Sequence, residues 1–352
     1  MADDEPEVPE THVLAIASHT LGCEVSAIHT VNYSNHVGYR RVAGRKTTPG
    51  EVSDLYAGLV SAGLNSFDVL LSGYCPSAAL VEEVGKIARE RKLHAATKPG
   101  SFFWVLDPVM GDNGRVYVAE ETVPAYRNLL RDADLILPNQ FEAELLSGVT
   151  ITGMETLVQA ITKLHQEHGV PHVLITSVRF PSSSPSEEEA ELAVLGSSST
   201  TSGTPRLFRI AIPSLPVYFS GTGDMFAAIL VARLRQACLA ADVLSKPSWR
   251  SDDSVAGPEL PLAKAAEKVL ASMQAVLKDT AAHYEDAKAK LDQEGGLNEG
   301  VGEEARKERE EQRHLRLTRA AEVRVVTNAR MLIEPPDLGR FRAQAVEVGD
   351  AR

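Results

Sequence analysis

Cysteine is scarce in this chain. Cys23, Cys75 and Cys238 are its three, and none pair at Cys-x-x-Cys spacing, which argues against a disulfide framework and a structural zinc site. A reducing compartment follows, the cytoplasm or the nucleus. No apolar run approaches the length of a membrane span, so the sequence predicts a soluble protein with no membrane partner. Residues 1–10 are acidic and contain proline, without the basic and apolar blocks of a secretory signal, and they read as a disordered tail. Concentrated positive charge is also lacking: 36 Lys and Arg stand against 48 Asp and Glu, for a net charge of -12. That balance excludes nucleic acid and anionic membranes as expected partners, and an anionic nucleotide would need local cations or a metal. What remains is an ordinary globular composition, 43% apolar and 24% charged, in 352 residues, enough for one large core or two modest ones.

The most informative stretch is Phe219-Ser220-Gly221-Thr222-Gly223-Asp224-Met225-Phe226, followed by an apolar run with the composition of a buried helix. A helix starting near Gly223 would aim its unpaired N–H groups and positive dipole end into the glycine turn, where no side chain blocks an anion. Asp224 supplies in the same turn a carboxylate able to accept a proton from an alcohol attacking a phosphoryl group. The same residues also make a plain turn and helix start, so the motif alone leaves both readings open.

In chain order, residues 12–17 and 24–30 are short apolar runs typical of buried strands, joined by a link too short for the usual crossover helix. Residues 32–39 form a polar stretch that either satisfies itself or walls a pocket for a flat polar ligand. Val52, Leu55, Tyr56, Leu59 and Val60 mark an amphipathic helix. Residues 67–74 and 103–109 read as strands, the second ending at Asp107 with Asp112 beyond. In open α/β sheets ligands gather at such ends, and two aspartates there would hold Mg²⁺ with water and phosphate, or else open a turn. After a strand at 133–137, Asn139 and Glu142 fit the start of a helix by capping alone. Thr176 and Ser177 end the next strand.

Residues 181–189 and 197–205 read as low-complexity loops around an edge strand pair. A core-facing helix begins near Leu262. Residues 288–316 are dense in mixed charge without an apolar stripe and read as a solvated insertion, and residues 323–326 as a last short strand. Strands alternating with helices predict one α/β domain over residues 11–345, a central mostly parallel sheet covered by helices on both faces.

Together, Tyr33-Ser34-Asn35-His36 with Gly38-Tyr39, Ser72-Gly73-Tyr74, Asp107-Pro108-Val109 with Gly111-Asp112, Pro138-Asn139-Gln140-Phe141-Glu142-Ala143-Glu144, and Gly221-Thr222-Gly223-Asp224 resemble the pyridoxal kinases of the ribokinase-like superfamily, in the same order. The resemblance implies ATP-dependent phosphorylation of the 5'-hydroxymethyl group of pyridoxal and related B6 vitamers by a homodimer. It implies Asp224 as base, with Gly221, Thr222 and Gly223 as the anion hole. It places Asn139, Glu142, Thr176, Ser177 and Thr222 at ATP, and Ser18, Tyr33, His36, Val37, Tyr74 and Asp224 at the vitamin. Tyr117 falls on a covering lid, and Asp107, Asp112 and Glu142 fall near Mg²⁺ and a monovalent cation such as K⁺.

Three departures stand out. About fifteen residues that carry the first crossover helix in the family are missing after Ser18-His19, so the first strand is expected to lose its place in the sheet. Val37 stands for a threonine that bonds the pyridine substituents, and Leu137 for a polar residue near the cation site. The alternatives are a kinase for another hydroxymethyl substrate, such as a pyrimidine precursor, and a nucleotide- or vitamin-binding protein impaired in catalysis.

Overall fold

The computed structural model describes residues 12–16, 23–179, 192–295 and 303–346. The expected acidic tail, the loop at 181–189 and Ser18 lie outside these residues. In chain order the strands are β1 (His12–Ile16), β2 (Glu24–Ile28), β3 (Val31–Tyr33), β4 (Gly44–Lys46), β5 (Val69–Ser72), β6 (Phe103–Leu106) and β7 (Gly111–Asp112). They continue as β8 (Arg115–Val116), β9 (Leu135–Ile136), β10 (His172–Arg179), β11 (Leu192–Ser199), β12 (Pro205–Ile212) and β13 (Gln344–Ala345). The helices are α1 (Pro49–Ser61), α2 (Ala78–His94), α3 (Thr122–Leu129), α4 (Gln140–Ser147), α5 (Met154–Gln166), α6 (Thr222–Ala240), α7 (Pro261–Gly295), α8 (Glu303–Ala320) and α9 (Ala329–Ile333).

Nine strands form the main sheet, in the order β13-β12-β11-β10-β9-β6-β5-β1-β2. Pairing is parallel from β2 to β10 and antiparallel from β10 to β13. Period-two side-chain alternation splits the strand residues between two cores. Leu70, Trp104, Leu106, Ile136, Val173 and Ile175 pack under α1 to α5. Val69, Leu71, Phe103, Val105, Leu135 and Leu174 pack under α6 and α7. Because both faces are covered, the central strands read as unbroken apolar runs in sequence.

The expected displacement of the first strand does not occur. β1 lies between β2 and β5, with Val13 opposite Val25 on one side and Val69 on the other. Chain reach explains it. Ile16 and Glu24 are eight residues apart, a span of up to roughly 26–29 Å when extended, whereas a five-residue strand is only about 16 Å long. The return to the start of β2 therefore needs no helix. Because the chain moves from β1 to β2 on one side and then to β5 on the other, strand order reverses at β1. Such a reversal opens a crevice beyond the carboxyl ends of the strands.

Two further expectations need correction. Ser197, Ser198 and Ser199, read as loop, are buried in β11, and the turn spans only 200–204. Their hydroxyls meet His165 Nε2 at 2.8 Å, His172 Nδ1 at 2.7 Å and Arg250 Nη2 at 2.8 Å, so a serine-rich run is a satisfied polar core. The described residues of the charged segment, read as a solvated insertion, are helical. They form the end of α7 and most of α8, joined by Arg313–Asp292 and Arg316–Glu294 pairs, both at 2.7 Å. Residues 323–326 form a turn, not a strand, with the Arg324 amide bound to Thr280 Oγ1 on α7 at 3.2 Å.

Candidate active site

The site is built on the first turn of α6. Gly221 precedes it with φ of 80°, in the left-handed region that suits glycine, and no side chain caps the helix. Its first amides therefore face outward without intrahelical partners. Asp224 occupies this turn and remains accessible to solvent, yet the surrounding protein excludes enough water to raise its carboxyl to about 6. Below the turn, Met225, Phe226, Ile229 and Leu230 anchor α6 in the core.

Asp107 faces this turn from the end of β6. Its Oδ2 lies 4.0 Å from where a Cβ on Gly223 would sit. Burial raises its carboxyl well above the ordinary range, and the charges of Glu142 and Asp224 raise it further. Glu142 begins α4, where Oε1 accepts from the Met110 amide at 2.8 Å and the Gly111 amide at 3.3 Å, while Oε2 accepts from the Asn139 amide at 2.9 Å. Burial outweighs these bonds and pushes its carboxyl up to about 7.

Asn139 completes the capping box, its Oδ1 accepting from the Glu142 amide at 2.9 Å and its Nδ2 donating to Gly111 O at 2.7 Å. Both side chains thus fix the turn after Asp107. Asp112 accepts from Asn113, through its amide at 2.8 Å and its side chain at 2.9 Å. Tyr117, just past β8, lies near enough to these groups to feel their charge. Burial pushes its phenol up to about 12, aided by the charges of Glu142, Asp112, Tyr218 and Asp107.

Asp107, Glu142 and Asp224 form an acidic cluster. Among the described residues no three acidic, histidine or cysteine side chains gather closely enough to enclose an ion. The donor set fits a hard cation whose remaining ligands are phosphate oxygens and water, with Asp107 and Asp112 the available carboxylates. Leu137, at the polar position, is buried in the core under α6.

Thr176 and Ser177 lie inside β10, not at its end, where a bulge breaks its register with β11. The Thr176 amide donates to Pro138 O at 3.0 Å, which holds the bulge beside Asn139.

On the other side, β3 and β4 form a two-stranded flap whose connecting loop carries Ser34, Asn35 and His36. The loop is stitched internally: Asn35 Nδ2 donates to Arg41 O at 2.7 Å, and the Ala43 amide donates to Ser34 Oγ at 3.1 Å. His36 Nδ1 accepts from the Gly38 amide at 3.1 Å. A Cβ on Gly38 would lie 2.8 Å from two ring atoms of His36 and 3.7 Å from Ser220 Oγ, so this loop abuts the glycine turn. Tyr74 follows β5. Burial raises its phenol, with Tyr33 next in effect, and Tyr74 O accepts from Thr30 Oγ1 at 2.7 Å. Val37 is 73% exposed. Sequence reading did not single out Tyr218 or the Met110 amide, whose places depend on the fold.

The sheet order, the two helical layers and the glycine turn feeding an aspartate-bearing helix define a ribokinase-like kinase fold. Pyridoxal kinase from Leishmania donovani in complex with ADP superposes with a TM-score of 0.70 at 27% identity, over 95% of this chain and 98% of that one. A second structure of that enzyme, with ADP and pyridoxamine, gives 0.69 over 96% and 99%, also at 27% identity. The phosphomethylpyrimidine kinase family model matches residues 83–245. Pyridoxal kinase of Homo sapiens is 35% identical over 248 residues, 63% of this chain and 77% of that protein, and the Ovis aries enzyme gives the same figures. The chain belongs to the pyridoxal kinase family.

Proposed function

We propose that the chain transfers the terminal phosphoryl group of ATP to the 5'-hydroxymethyl group of pyridoxal and related B6 vitamers. The observation that carries this reading is Asp224, a carboxyl near 6 in the same turn as the uncapped amides of α6. At pH 7 such a group is roughly nine-tenths ionised yet basic enough to take a proton. The vitamin's hydroxyl gives its proton to Asp224 as its oxygen bonds to phosphorus, and the bond from phosphorus to the bridging oxygen breaks to release ADP. The amides of Thr222, Gly223 and Asp224 face the negative charge on the phosphoryl oxygens, with Gly221 shaping the turn.

Tyr33, His36 and Tyr74 surround the vitamin, with Ser18 and Val37 flanking it. Asn139, Thr176, Ser177 and Thr222 line the nucleotide side, and Tyr117 covers both. Asp107 and Asp112 would hold Mg²⁺, which neutralises phosphate charge, while Glu142 fixes the turn beneath them. A monovalent cation such as K⁺, a homodimeric state and a cytoplasmic or nuclear location complete the reading.

A hydroxymethylpyrimidine is the second substrate reading, and the family model that matches is described as phosphomethylpyrimidine kinase. A competition assay with Mg-ATP, pyridoxal and that pyrimidine alcohol separates them. Pyridoxal is expected to be the phosphorylated species, and preferential consumption of the pyrimidine would overturn the assignment.

A further inference from the structure

The charged helix α8 has no apolar stripe, but one polar stripe of it faces the loop of residues 36–41. Glu311, His314, Thr318 and Glu322 follow one another at helical spacing. Glu311 pairs with Arg41 at 2.5 Å, and His314 Nε2 donates to Gly38 O at 2.9 Å. Just past the end of α8, Glu322 Oε1 accepts from Tyr39 OH at 2.9 Å and lies 3.2 Å from His36 Nε2.

These contacts fix the His36 imidazole. Its Nδ1 accepts the Gly38 amide and therefore carries no proton, so Nε2 carries one and donates it to Glu322. Tyr39 closes one side, its ring centroid 4.8 Å from that of His36 at 52°. With both ring nitrogens occupied, His36 offers a flat ligand its ring face. Glu322 is itself held from behind: its amide donates to Arg319 O at 3.3 Å, and two residues on Arg324 is tied to α7, its amide to Thr280 Oγ1 at 3.2 Å and its guanidinium to Asp279 at 3.1 Å.

We propose that α8 is a clamp on the vitamin loop and that Glu322 is its positioning residue, setting the tautomer and orientation of His36. This rests on the reading that residues 33–39 bind the vitamin. The clamp acts on one substrate only, because the nucleotide side of the cleft is built from α4, β10 and α6.

The test compares the parent chain with Glu322→Ala and Glu322→Gln by steady-state kinetics and amide hydrogen exchange. Losing two acceptor contacts in Glu322→Ala should raise KM for pyridoxal about five- to tenfold, with kcat and KM for Mg-ATP unchanged within about twofold. The Tyr39 and Arg40 amides, which close the turn onto His36 O and Val37 O, should exchange faster. Glu322→Gln retains an acceptor oxygen and should restore most of both effects. Arg41→Glu should loosen the loop in the same way, and Arg41→Glu with Glu311→Arg should tighten it again. An unchanged exchange rate in Glu322→Ala, or an equal rise in both KM values, would overturn the clamp. Exchange is read without turnover, so a parent chain that fails to phosphorylate pyridoxal would refute the functional reading while the clamp is still judged.

Discussion

Gly221 and Gly223 flank the same threonine, but the structure gives them different work. Gly221 has φ of 80° and nothing within 4 Å of the place a Cβ would take, so alanine there meets only backbone strain. Holding an alanine in the left-handed region costs roughly 1–2 kcal/mol. At about 2–4 °C per kcal/mol for domains of 150–250 residues, Gly221→Ala should lower the melting temperature by roughly 2–6 °C in this somewhat longer chain. Gly223 lies within the helix at an ordinary φ, and its added methyl would project toward Asp107 at 4.0 Å, ordinary contact distance. Gly223→Ala should therefore melt within about 1 °C of the parent, since no strain or clash is introduced. The methyl would nevertheless stand in the cleft where the phosphoryl group must pass, and turnover should fall at least tenfold. Thermal denaturation and initial rates on the same preparations separate the two effects. A destabilised Gly223→Ala, or a Gly221→Ala that melts like the parent, would refute the assignment of strain to Gly221.

Two pH dependences follow. With Asp224 near 6, kcat/KM for the alcohol substrate should be level above pH 7 and fall about tenfold per unit well below 6, as the base is protonated; a flat profile down to pH 5 would assign the proton elsewhere. Burial lowers His165 to about 4 and His172 to about 3, so on acidification from pH 6.5 the unfolded chain takes up protons that the folded chain refuses. Stability from each neutral imidazole is lost between pH 6.5 and its folded value, at most about 1.4 kcal/mol per unit. Glu142 and Asp224, with raised values, act in the opposite sense over the same range. The histidine part is read by difference: the parent should lose about 2–3 kcal/mol more than His172→Asn between pH 6.5 and 4.5, and equal losses would contradict it.

Much of the architecture was legible because the central strands bury both faces and most motifs follow a strand or open a helix. Runs such as Phe103-Trp104-Val105-Leu106 announce themselves, and Asp107, Asn139 and Asp224 follow breaks in the apolar pattern. The missing crossover misled because helices usually join parallel neighbours, although eight residues can span the distance without one. Ser197 to Ser199 look like a low-complexity loop, since their buried partners His165, His172 and Arg250 are remote in sequence. Capping was readable at Asn139, whereas the grip of Glu142 on Met110 and Gly111 required the fold. Glu322 carried no signal, because one glutamate beside a short apolar run is indistinguishable from a surface residue until α8 is laid against residues 36–41.

The central claim is that Asp224 is the base for phosphoryl transfer to pyridoxal. The most direct measurement is formation of pyridoxal 5'-phosphate from Mg-ATP and pyridoxal by the purified chain, with Asp224→Asn in parallel and ATP binding measured for both. The account predicts product from the parent, a loss of at least a hundredfold in the variant, and ATP bound by each. Equal rates in the two proteins, or a folded parent that binds ATP and forms no product, would contradict it.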